Sequence, residues 1–160
     1  MLFTSCSISG GMNVSGLRFE TDTQYVDGRL QEMLEALNNQ DKTAVKSMFS
    51  QKALTEAVEF DEHLDYLFNF FQGKVLSWER KGGPSVFKNK EHGRITQEVS
   101  VWYKVDTDQE SYLFIFIECI KDTANQNNVG LYTLRVIRTE DELTQFNSWN
   151  DVRIPGIYMP

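Results

Sequence analysis

The chain has 160 residues, of which 41% are hydrophobic and 12% aromatic, and a formal net charge of −7. That length fits one domain, which can bury roughly two thirds of its unfolded surface without help from a disulfide or a metal. An acidic chain without clustered Lys and Arg is a poor match for nucleic-acid backbones, and no apolar run approaches the length of a membrane span.

The chain begins Met1-Leu2-Phe3-Thr4-Ser5-Cys6, and the stretch from Ser7 to Gly16 is rich in Ser and Gly. An apolar residue, two small residues and a cysteine resemble the lipobox of bacterial lipoproteins. The resemblance implies lipidation at Cys6, a tether over residues 1–16, and a place on the extracytoplasmic face of a bacterial cell membrane. The charged and apolar regions of a signal peptide are not in the sequence, so this reading also implies a longer start. The alternative is a terminal tail with one free thiol on a cytoplasmic protein. Cys119 lies in an apolar segment and reads as a buried free thiol, so the two cysteines make no disulfide framework.

Residues 17–160 read as a single domain. Asp22 is the expected cap of a first helix, whose apolar stripe is Val26, Leu30, Met33, Leu34 and Leu37. Asp41 caps a second helix, with Ala44, Val45, Met48 and Phe49 on its buried side. A helical turn or two follows over 50–58. Asp61 then caps a further helix with the stripe Leu64, Leu67, Phe68 and Phe71, closed by Gly73. His63 in that helix has Tyr66 and Leu67 where a second metal ligand would stand, and reads as a solvated or capping histidine.

Four strands are expected beyond it, over 74–80, 94–105, 111–121 and 129–138, with the segment from Lys81 to Gly93 as a mobile, solvated loop. Ile95, Val99, Val101, Tyr103 and Val105 fall on one face of the second strand. The short connections make an antiparallel meander the simplest topology. The third strand is apolar on both faces from Leu113 to Ile117, so both sides must be covered. The helices cover one side. A second copy of the chain, giving a homodimer through the sheet, or the C-terminal arm 146–160 covers the other. Phe146, Trp149, Ile154, Ile157 and Tyr158 predict an ordered, packed arm, which Pro155 and Pro160 make unsuitable as a central strand.

The run from Leu34 to Ser50 resembles the opening of nuclear transport factor 2-like (cystatin-like α+β) domains. The segments Phe70 to Glu79, Asn128 to Val136 and Ile154 to Tyr158 are similar to a domain-of-unknown-function family, number 5104, of small bacterial lipoproteins. The resemblance implies an α+β fold in which N-terminal helices pack on a curved four-stranded antiparallel sheet, forming an open cone. Some members of that superfamily are isomerases or dehydratases with an acid–base pair inside the cone, and others only bind or dimerise. The narrower family implies no activity.

Glu118 is the sharpest local anomaly, a carboxylate between Ile117 and Cys119 in an apolar strand. It is either a general acid or base in a pocket, or an outward-facing residue or cross-strand partner of Arg135 or Arg138. His92, beside Glu91, is the only histidine near the sheet. Trp78, Trp102, Tyr103 and Tyr132 are candidate pocket-lining residues, with core packing as the competing reading. The turn Gly82-Gly83-Pro84 lacks the spacing of a phosphate loop, and no nucleophile-elbow, Cys-x-x-Cys or zinc-protease motif is present. The expectation is a non-catalytic binding or interaction domain for an unknown small molecule or protein. It uses no cofactor and no metal, and touches a membrane only through a lipid at Cys6. The alternative is a small cofactor-free isomerase or lyase using Glu118 or His92.

Overall fold

The structure is a computed structural model that describes residues 14–145 and 153–159, with side chains from residue 21 onward. Helices come first: α1 (Val14–Asn38), α2 (Lys42–Ser47), α3 (Gln51–Glu56) and α4 (Phe60–Phe70). The strands follow: β1 (Val75–Arg80), β2 (Ser85–Glu91), β3 (Arg94–Thr107), β4 (Ser111–Asp122) and β5 (Gly130–Arg138). A short helix α5 (Glu142–Gln145) and a two-residue strand β6 (Gly156–Ile157) end the described chain. The result is a mixed α+β fold with a curved, unclosed sheet of six strands among the described residues, where the sequence predicted four.

Both extra strands have a physical reason. The segment read as a mobile loop contains β2, which pairs residue by residue with the first half of β3. Every residue of β2 is exposed, so it carries no hydrophobic alternation to betray it. Its signature is the two-residue turn His92-Gly93, with φ of 47° and 81°. Positive φ at both central residues matches the twist of a tight hairpin. β1 takes the second half of β3, so β1 and β2 are two pieces of one edge, interrupted between Lys81 and Pro84.

The second addition is β6, which pairs with β5 in parallel, Thr133 opposite Gly156 and Leu134 opposite Ile157. The arm therefore extends the sheet at its edge, a place that Pro155 tolerates. Phe49 makes a further parallel bridge to Leu131. Two short segments thus occupy successive stretches of the same edge of β5. Ile157 is buried in the core, and its carbonyl accepts a hydrogen bond of 2.8 Å from Nδ1 of His63. His63 is thereby a strap between α4 and β6, not a solvated side chain. Phe146 and Trp149 lie outside the described residues.

The helical stripes behave as the periodicity predicts. Val26, Leu30, Met33, Leu34 and Leu37 are all buried, as are Leu64, Leu67, Phe68 and Phe71. They meet Tyr112, Phe114 and Phe116 of β4 in the main core. The helix starts differ. Asp22 lies inside α1, where its carboxylate accepts from Gln97 Nε2, and α1 begins within the stretch read as tether. Asp41 does cap α2, accepting from the Ala44 amide. α4 begins after Glu59, and Asp61 sits in its first turn. Gly73 lies beyond the last turn of α4, at φ 90°, where a Cβ would stand 2.6 Å from Thr107 Oγ1.

On the other face of β4, Leu113, Ile115 and Ile117 are buried within the single chain. Trp102 of β3 packs on the two isoleucines. α5 is held to this sheet by Arg135, whose Nη2 donates to the Gln145 carbonyl, while the Arg135 guanidinium stacks on Tyr158 at 3.7 Å.

Candidate functional site

Glu118 is on the inner, helix-facing side of β4, because Tyr112, Phe114 and Phe116 set the parity of that face. It is 1% exposed. Its partner comes from neither Arg135 nor Arg138, as cross-strand pairing predicted, but from α1. Arg29 Nη2 donates to Glu118 Oε1 at 2.7 Å, and Nε lies 3.2 and 3.1 Å from the two carboxylate oxygens. The Tyr25 hydroxyl, one helical turn earlier, donates to Oε1 at 2.7 Å. Arg29 Nη2 also donates to the Tyr25 oxygen, and Nη1 to Glu32 at 2.6 Å. The three helix residues sit at i, i+4 and i+7, so one face of α1 presents them together.

The electrostatics follow from burial. Loss of water and then the neighbouring Glu118 charge and hydrogen bond push the Tyr25 hydroxyl up to about 12. Burial works against the charge of Arg29, but the hydrogen bonds and charge of Glu118 outweigh it and hold the guanidinium above its ordinary value. At neutral pH Tyr25 is thus held protonated and uncharged, and Arg29 is held charged. A guanidinium has five N–H donors. Glu118, Tyr25 and Glu32 engage Nε, Nη2 and Nη1, which leaves at most one N–H for anything else.

Tyr25 and Arg29 form one wall of a cleft of about 520 Å³ between α1, α2 and the start of β5. Glu32, Glu35 and Asp41 line it as well, so three carboxylates face one guanidinium with at most one N–H to spare. The floor is set by a close approach of backbone. Ser50 N donates to Leu131 O and Leu131 N to Met48 O, both at 2.9 Å. Gly130, at φ 124°, makes room for it: a Cβ there would stand 2.8 Å from Ser50 N.

The remaining sequence-predicted residues are dispersed. His92 is a turn residue whose side chain is 93% exposed, 3.9 Å from Glu91. Trp78 packs edge-on against the buried Tyr103, whose hydroxyl donates to Asp27. Asp27 also holds Arg80 through both oxygens. Trp102 is on the opposite face, and Tyr132 is near the start of β5, donating to Glu56 of α3. The structure does not bring these four aromatic residues together. Cys6 lies outside the described residues. Among the described residues no group of three or more His, Cys, Asp and Glu is placed to hold a metal, and no helix is long and apolar enough to cross a membrane.

The model of the family described as "Domain of unknown function (DUF5104)" matches residues 32–139. The chain belongs to this family. The DUF5104 match runs from within α1 to just beyond β5, so it includes Glu118 and most of the cleft, while Tyr25 and Arg29 precede it. No curated protein matches the chain. The family description names no activity, so the chemistry of this DUF5104 member has to be argued from its own residues.

Sequence reasoning singled out Glu118 and missed Arg29 and Tyr25. The pair is separated by 89 residues, and nothing in the helix pattern marks one polar residue of α1 above the others. The only available hint was the position of Arg29 beside the apolar stripe, between Val26 and Leu30.

Proposed function

We propose that the chain is a non-catalytic binding domain with a nuclear transport factor 2-like cone, tethered through a lipid on Cys6 to the outer face of a bacterial cell membrane. The cleft between α1, α2 and β5 is its binding site. The observation that carries this reading is the use made of Glu118. A buried carboxylate that served as a general base would keep a lone pair for the substrate. Here Tyr25 and Arg29 engage both of its oxygens, and the carboxylate is 1% exposed and lies behind the cleft wall, so the effect is to fix that wall and not to face a substrate. The isomerase or lyase alternative would require that cluster to open. The order of helices followed by a curved open sheet supports the cone.

The cleft favours a polar ligand bearing amino or other cationic groups. Arg29 has little donor capacity left for an anion, whereas Glu32, Glu35 and Asp41 offer acceptors at its rim. Isothermal titration of the full chain with spermidine, a small flexible trication, tests this. Saturable binding at 0.15 M salt that weakens at least fivefold in Glu35→Gln supports the reading. Heat that tracks ionic strength alone, unchanged in the variant, rejects it. Mass spectrometry of the full-length protein from a bacterial host tests the address, and an unmodified Cys6 overturns the anchor.

A further inference from the structure

A second hollow, of about 210 Å³, shares no lining residue with the cleft. Its walls come from the start of β3, the end of β4, the start of β5, α3 and the C-terminal segment. Three cationic side chains converge there: Lys52, Arg94 and Arg153. In a chain with a net charge of −7 such a gathering does not follow from composition.

Each cation is held in place by one contact that leaves donors over. Arg94 gives Nη2 to Asp122 at 2.8 Å. Asp122 is fully buried, and also accepts from Asn128 Nδ2 and from the amides of Ala124 and Asn125. That carboxylate is saturated, so it orients Arg94 and has nothing left to offer a ligand. Arg153 gives Nη1 to Glu98, and its guanidinium lies 4.8 Å from the centre of the Tyr132 ring. Lys52 Nζ is 5.6 Å from the same ring centre. Both cations thus lie beside the Tyr132 ring and line the hollow, where an anion would offset their like charge.

We propose that this hollow binds the oxyanion group, phosphate or carboxylate, of a small molecule, with Lys52, Arg94 and Arg153 as its donors. The anchored guanidinium groups supply geometry, since planar N–H forks match both kinds of oxyanion. Lys52 supplies a mobile charge that closes on the ligand. At roughly 30 Å³ per water the volume holds about seven waters, enough for the anionic group and a few attached atoms. Cys119 is part of the wall, but burial pushes its thiol up, so it contributes contact and not a nucleophile. This site stands apart from the acidic cleft and does not depend on how the cleft is read.

The test is an amide NMR titration of the full chain with inorganic phosphate and, separately, acetate, at ionic strength held constant with sodium chloride. The expected result is saturable shifts centred on Lys52, Arg94, Cys119 and Asn128. Lys52→Gln, at an exposed position, is expected to weaken binding at least fivefold with the fold unchanged, and Arg153→Gln to do the same. Tighter phosphate binding assigns a phosphate monoester, and tighter acetate binding a carboxylate. Shifts that chloride reproduces, or that persist undiminished in both variants, overturn the proposal.

Discussion

Arg29 and Glu118 meet between the first helix and the central strand, with Nη2 2.7 Å from Oε1 and Nε within 3.2 Å of both oxygens. The carboxylate is shut off from solvent, while the guanidinium retains 18% side-chain exposure. The pair therefore ties the core to the cleft. Breaking one side leaves the other charge in low dielectric. Glu118→Leu alone is expected to cost about 3 kcal/mol, near the low end for a buried pair because Arg29 can reach water. The double variant Arg29→Met/Glu118→Leu should recover most of that loss. Urea denaturation of the two singles and the double completes the cycle, and strictly additive losses would refute the coupling.

The Asp122 carboxyl predicts an acid-sensitive fold. Arg94 first, then Asn128 and the amides of Ala124 and Asn125, hold it well below the usual carboxylate range. Its unfolded value is about 4, so below that pH the unfolded chain takes up the proton first. The stabilisation is present above about pH 4 and is lost as pH falls through the folded value. Asp122→Asn should lower stability at neutral pH and flatten the slope between about pH 2 and 4, as read from denaturation midpoints across that range.

The C-terminal arm should behave as scaffold. Ile157 is 2% exposed, β6 is hydrogen-bonded to β5, and His63 holds the Ile157 carbonyl. Ile157→Ala is expected to cost about 2–5 kcal/mol. Deleting residues 146–160 should cost at least as much. A deletion with near-native stability and faster ligand entry would mean that the arm is a lid, and no change in either would refute its packing.

Gly130 is the residue on which the cleft floor depends. Its φ of 124° is glycine territory, and an added Cβ would meet the Ser50 backbone at 2.8 Å. Gly130→Ala should cost about 1–3 kcal/mol and displace the bridge between Phe49 and Leu131. Hydrogen exchange at the Ser50 and Leu131 amides reads that displacement directly, and unchanged protection would show that the bridge does not rely on the glycine.

These outcomes rest on features that were unequally visible in the sequence. The α1 and α4 stripes were legible because burial in a helix repeats every three or four residues, and Leu30, Met33, Leu64 and Leu67 obey that repeat. The double-sided apolar run of β4 was legible for the same kind of reason. β2 was not, because an exposed edge strand has no apolar face, and its evidence lay in the His92-Gly93 turn. The packing of the arm could be read from its apolar residues, but its parallel register against β5 could not, since register is a long-range match. The anomaly at Glu118 was visible, whereas its partner was not. A charge in a strand announces that it needs compensation without saying which distant residue supplies it.

The central claim is that the cleft framed by Tyr25 and Arg29 is a binding site for cationic, polar ligands. Its most direct test is an amide shift map of the full chain titrated with spermidine at 0.15 M salt. The prediction is a saturable set of shifts confined to the cleft, at Glu32, Glu35, Asn39, Ala44 and Ser47, with β2 and its turn at His92 unmoved. Shifts that grow linearly and scatter over the acidic surface, without a maximum at the cleft, would contradict it.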